Sequence, residues 1–120
     1  MVVSIGRIKW EARFVPQSGI ELNQGTGLNG CCAPTSHQIF IGNDFDPQQT
    51  KDTTIHEVTH AYIEQYLLGK KTFENEEMCD FMERYAEDII GTANEILKGD
   101  RKSTRLNTSH QSTSRMPSSA

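Results

Sequence analysis

The hydrophobic period changes once along this chain, and that change sets the class of fold. Ile8, Trp10, Ala12 and Phe14 alternate with Lys9, Glu11 and Arg13, the two-residue repeat of a strand with one wet face. Pro16 closes the run. Gln24-Gly25-Thr26-Gly27-Leu28-Asn29-Gly30 is turn chemistry. Gln38-Ile39-Phe40-Ile41-Gly42 then reads as a second strand, between Pro34 and the turn Asn43-Asp44-Phe45-Asp46-Pro47. Beyond Pro47 the spacing is helical. Ile55, Val58, Tyr62, Ile63, Tyr66 and Leu67 predict a helix to about Leu68, with Asp46, Thr50 or Asp52 as its cap and Gly69 as its stop. Met78, Phe81, Met82, Tyr85, Ile89, Ala93 and Ile96 give a second helix, from about Glu74 to Leu97, one apolar stripe that Gly99 ends. Strands first and helices after is an α+β order: a small N-terminal sheet followed by two helices.

A chain of 120 residues supports one domain with a modest core. No segment approaches the roughly 18 apolar residues of a membrane span, and Met1–Arg7 lacks the layout of a signal peptide. Cys31, Cys32 and Cys79 are odd in number and two are adjacent, so no disulfide framework is expected. A soluble intracellular protein without a membrane partner follows. The net charge of −4 divides unevenly: residues 1–99 carry −7 and residues 100–120 carry +3. An acidic globular part argues against nucleic acid as the partner.

The basic tail has its own reading. Residues 103–120 are mostly Ser, Thr, Arg, Asn and Gln with no apolar period, the composition of a disordered segment. Asp100-Arg101-Lys102-Ser103-Thr104-Arg105-Leu106-Asn107, followed by Ser109-His110, also resembles the conceptual translation of a common sequencing adapter, which differs by Ser at Thr108. Ser114–Ala120 resembles its continuation. The expectation is a domain over residues 1–99 and a non-native, disordered tail over 100–120, with the native C-terminus missing.

One pentapeptide names a chemistry: His56-Glu57-Val58-Thr59-His60. Two histidines four apart on a helix share a face, so both imidazoles can reach one ion. Glu57, beside the first, is placed as general base toward a water on that ion. Chance alone produces HExxH in roughly one chain of this length in a few hundred. A catalytic zinc takes three protein ligands. The third is expected where the second helix opens, at Glu76 with Glu77 as runner-up, and Asp80 one turn on is a candidate to orient a ligand imidazole. Tyr62, Tyr66, Tyr85 and His37 are candidate donors to an oxyanion. Ile39–Ile41, if a sheet edge, offers its backbone to an extended peptide. Cys31, Cys32, His37 and Cys79 fit no standard zinc spacing and are expected as reduced thiols and a solvent-facing histidine. Glu83, Glu87, Asp88 and Glu95 read as the wet face of the second helix.

Together, the Ile-rich strand, Thr54–Tyr62 and the Glu76-Glu77-Met78-Cys79-Asp80-Phe81 helix start resemble the small phage and bacterial ImmA/IrrE-like metallopeptidases, over about Ile39 to Ala93. The resemblance implies a minimal zincin-like domain holding one zinc per chain through His56, His60 and Glu76, with Glu57 catalytic. It also implies an endopeptidase acting in the cytoplasm of a bacterium or phage-infected cell, on a protein of the phage-repressor type. Larger members carry helix-turn-helix domains, and none is visible here. The alternative is a zinc-binding regulatory or interaction protein of a mobile element that turns over no substrate.

Overall fold

A computed structural model of the chain describes residues 1–24, 29–68 and 70–108. The expected turn at 25–28 and the stop at Gly69 lie outside the described residues, as does the tail from 109 onward. Strands β1 (Val2–Ile5) and β2 (Ile8–Val15) form an antiparallel hairpin, with Ile5 opposite Ile8. Gly6 in its turn takes φ 63°, and a side chain there would collide with the Tyr66 hydroxyl, so the turn demands glycine twice over. Helix α1 (Gln17–Gln24) follows Pro16 and leads toward β3 (Gly30–Ala33). A single 3-10 turn at Pro34–Ser36 reverses the chain into β4 (Gln38–Gly42), with His37 left-handed at φ 55°.

The sheet runs β1-β2-β4-β3. The two strands legible in the sequence pair with each other in parallel, Ala12 beside Ile39 and Phe14 beside Ile41. β4 is thereby internal, and Ile39–Ile41 is not the sheet edge it was expected to be. β3 takes that edge, antiparallel to β4, with Gly30 opposite Ile41 and Cys32 opposite Ile39. The physical reason is burial: Ile39 and Ile41 are fully buried, and a strand that apolar is more stable between two neighbours than at a rim.

Helix α2 (Pro47–Tyr66) opens with Pro47 at its first position and Asp46 as cap, the Gln49 N–H donating to Asp46 Oδ1 at 2.8 Å. Of the three candidate caps, Asp46 is the one used. α2 lies over β3 and β4, while α3 (Asn75–Thr108) packs on α2 and reaches β1. Their shared core joins Trp10, Ala12, Ile39 and Ile41 of the sheet to Val58, Ala61 and Tyr62 of α2 and to Phe81, Ile89, Ala93 and Ile96 of α3. Polar clamps fix the packing. Trp10 Nε1 donates to Gln65 Oε1 at 2.9 Å, and Gln65 Nε2 donates to the Ile5 carbonyl at 2.5 Å.

The second helix departs from its expected bounds. It does not stop at Gly99 but runs to Thr108, since one internal glycine costs a helix only about 1 kcal/mol and Arg101 and Lys102 are good helix formers. Met78 and Met82, expected in the buried stripe, are 42% and 46% exposed. α2 ends at Tyr66, which stacks on Tyr85 at 4.8 Å, so the first turns of α3 extend past their partner helix. The cysteines are free, with Cys31 and Cys32 half-buried and Cys79 exposed. No described helix is long and apolar enough to cross a membrane.

Candidate metal centre

α2 presents two different faces through the motif. Thr54, Val58 and Ala61 are wholly buried against the sheet and α3, and Glu57 is 6% exposed. One residue earlier and three later, His56 and His60 face solvent. The 100° step per residue of an α-helix produces this split. The glutamate turns inward toward β3 while the imidazoles share the outer flank.

Those imidazoles converge. Their Nε2 atoms stand 3.2 Å apart, with ring centroids 4.8 Å apart and nearly perpendicular. Burial and then the neighbouring His56 hold the His60 pKa below its ordinary value, against an opposing pull from Glu64. A depressed pKa keeps the ring neutral, the form that binds a metal.

Glu57 sits where α2 passes over the sheet edge at Gly30. A Cβ on Gly30 would lie 2.8 Å from the Phe40 carbonyl oxygen, 2.8 Å from Thr53 Cγ2 and 3.1 Å from Glu57 Cγ. Only glycine permits that approach. Burial pushes the Glu57 carboxyl up to about 7, the range in which a carboxylate can both accept and return a proton near neutral pH. Cys32, across from it on β3, is pushed up to about 12 by burial and then by the charges of Glu57, Glu64 and Cys31. Cys31 is raised by burial and then Glu57. Both stay thiols, as expected.

A cavity of ≈ 530 Å³ opens beside this pair, walled by Gly30 and Asn29 on the β3 side and by α2 from its cap to Glu57. His56 and Glu57 are among its lining residues. Asp46, Gln48, Gln49 and Asp52 line the rest. Asp52 precedes His56 by one helical turn and so shares its flank, a signal present in the sequence and passed over there.

The carboxylates expected as third ligand do not join the histidines. Among the described residues, no group of three or more His, Cys, Asp or Glu side chains is placed to hold one ion. Helix register explains this. Tyr62 bonds Thr92 at 3.1 Å and Tyr66 stacks on Tyr85, so α2 and α3 run antiparallel. Counted from the Tyr66–Tyr85 contact at 1.5 Å per residue, His60 lies about 9 Å one way and Glu77 about 12 Å the other, roughly 20 Å apart along the helices. Glu76 is exposed in the same turn, as is Asp80. Glu77 is otherwise employed. It accepts the Glu74 backbone N–H at 2.9 Å, half of a capping box, and pairs with Lys70. The backbone hydrogen bond from Glu74, then Lys70, holds its carboxyl below the usual range.

The oxyanion candidates lie in contacts of their own, and among the described residues Tyr62 is the one whose hydroxyl is hydrogen-bonded. Tyr62 is bonded to Thr92 and to the Asp88 carbonyl, Tyr66 and Tyr85 are stacked on each other, and His37 packs on Trp10 at 4.9 Å. The residues at hand are therefore two converging imidazoles, a buried carboxyl next to them and a polar cleft. Two imidazoles suit a borderline metal such as zinc, with Glu57 set to handle protons at its side. Comparison with known protein families, with curated proteins and with solved structures finds no match to this chain.

Proposed function

We propose that this chain is a zinc-dependent metallo-endopeptidase acting on an extended segment of an intracellular protein, of the phage-repressor type that the ImmA/IrrE-like resemblance implies. One observation carries the reading: His56 and His60 bring their Nε2 atoms to 3.2 Å on the flank of a helix whose adjacent residue, Glu57, is a buried carboxyl, pushed up to about 7 by that burial. His56 and His60 would hold one zinc per chain. When bound, zinc supplies a Lewis acid and brings the pKa of a water near 7.

The chain's own part is proton handling and enclosure. Glu57 takes a proton from the attacking water and returns it to the leaving amine. Its burial between α2 and Gly30 keeps the carboxyl from bulk water and fixes it on the cavity side. Glu76 is not carried into the proposed ligand set, given its distance from the pair.

A second reading has one observation in its favour. Without a third protein ligand beside the histidines among the described residues, the pair would bind zinc more weakly and leave more of its coordination sphere to a partner. That describes a zinc-binding regulatory protein without turnover. Glu57→Gln separates the two. In the enzyme, zinc stays bound and hydrolysis of an unfolded protein substrate falls by about 10²- to 10⁴-fold. Hydrolysis unchanged in the variant, or absent from the zinc-loaded wild-type chain, removes the peptidase reading.

A further inference from the structure

The apolar face of α3 is wider than the cover that α2 and the sheet provide. Phe81, Ile89, Ala93 and Ile96 fill the core, but Met78, Met82 and Ile90 are 42%, 46% and 43% exposed. Half-buried Ala86 falls between them, so the four recur every fourth residue and each neighbours the next along the helix. Successive members turn about 40° around the axis, and the row is about 18 Å long. It starts in line with the core stripe and climbs onto the outer flank. Single exposed apolar residues are ordinary; a continuous row of them marks a contact surface.

One sign of charge borders that row. Glu76, Asp80, Glu83 and Glu87 share its solvent side by helical spacing, and all four are exposed. None of them pairs with a cation among the described residues. Arg84, the one basic residue from 75 to 90, falls on the far side of the acids from the methionines.

We propose that this face of α3 seats a basic amphipathic helix of a partner protein, with apolar residues on the methionine row and Lys or Arg over the acids. The charge selects a cationic partner. An extended segment would lay its backbone carbonyls on apolar groups and carboxylates, which offer them no donor, whereas a helix satisfies its own backbone. A second copy of this chain fits poorly. Antiparallel pairing of α3 with α3 about a two-fold axis sets the same flank of each helix together, acid against acid. The flexible thioether chains of methionine let the row adapt to the side chains of the incoming helix. Neither zinc nor peptide hydrolysis is needed for this contact.

The test uses the full chain, in the Glu57→Gln form so that nothing is cleaved, and three blocked, fluorescently labelled peptides read by anisotropy. The first places leucine and lysine at amphipathic helical spacing over about 14 residues. The second is its scramble, with the same composition and no period, and the third has glutamate for every lysine. The first should bind at least tenfold more tightly than either of the others, and added salt should weaken it. Met78→Ser, Met82→Ser should cost that binding about tenfold or more while the melting temperature holds. Glu76→Gln, Asp80→Asn, Glu83→Gln, Glu87→Gln should cost about as much and remove most of the salt dependence. Equal binding of the helical and scrambled peptides, binding unchanged in either variant, or no binding at millimolar concentration overturns the assignment. A dimer of the free chain at micromolar concentration, seen by sedimentation and dispersed by Met82→Glu, would overturn it too and give the face to a second copy.

Discussion

Two helix turns in this molecule carry acidic and metal-ligating side chains at helical spacing, and the fold treats them in opposite ways. The turn of α2 from His56 to His60 is pressed against the sheet. Its glutamate is buried over Gly30, its imidazoles meet at 3.2 Å, and a cavity opens beside it. The first turn of α3 reaches past the end of α2 into solvent. Its Glu77 is tied to its own helix start and to Lys70, and Glu76 and Asp80 are exposed. Similar residue types thus become a candidate reaction centre in one place and a helix terminus in the other. What decides is the packing around the turn, more than the residues in it.

Zinc affinity should separate the two turns most sharply. His60→Ala is expected to weaken zinc binding by at least about a hundredfold, since loss of groups that merely orient ligands already costs about 10- to 100-fold. Glu76→Gln and Glu77→Gln should leave it within about twofold. A tenfold loss in either glutamine variant, measured by competition with a chelating dye, would return that carboxylate to the ligand set and erase the contrast.

Stability against pH comes next. The folded-state pKa of Glu57 is raised, from 4.5 to about 7, so its contribution is fully present below the unfolded value and is lost as pH rises. In metal-free protein, unfolding free energy should fall between about pH 4.5 and pH 7, by an order of 3 kcal/mol at most, and level off above. Glu77, with its pKa lowered, has the opposite sign and favours the folded state above its unfolded value. Denaturant melts of Glu57→Gln across that range should show the fall removed; an unchanged slope would mean that Glu57 is not buried as described.

Gly30→Ala probes the close approach itself. Its Cβ would meet two backbone or branched neighbours at 2.8 Å, so β3 or α2 must shift, at a cost of about 1–3 kcal/mol. A neutral result in thermal melts would show that the contact between α2 and the sheet edge is loose. The smallest effect is expected from Glu77→Gln, which loses an exposed ion pair and part of a cap and should lower the melting temperature slightly while leaving the α2 turn untouched.

The same contrast explains what could be read from the sequence. β2, β4 and α2 were legible because their apolar residues repeat with a clear period, and His56 and His60 were legible as a pair because both lie on one helix. β3 was not: Gly30-Cys31-Cys32-Ala33 lacks the residues of an independent strand and is extended because it pairs with β4. β1 is four residues long, too short for alternation to register, and α1 buries Ile20 on a helix that also contains Gly19. The proposed third ligand depended on the register between two helices. That register is set by Tyr62 against Thr92, 30 positions away, and Tyr66 against Tyr85, 19 positions away, contacts that no local spacing reveals.

Both readings of the site require that the histidine pair hold a metal. The most direct test is metal analysis of the purified full chain after loading with zinc and gentle desalting, beside His56→Ala, His60→Ala protein treated alike. One zinc per wild-type chain and none in the double variant is the expected result. A content far below one zinc per wild-type chain, or equal zinc in the two proteins, would contradict the assignment of His56, Glu57 and His60 as a metal centre.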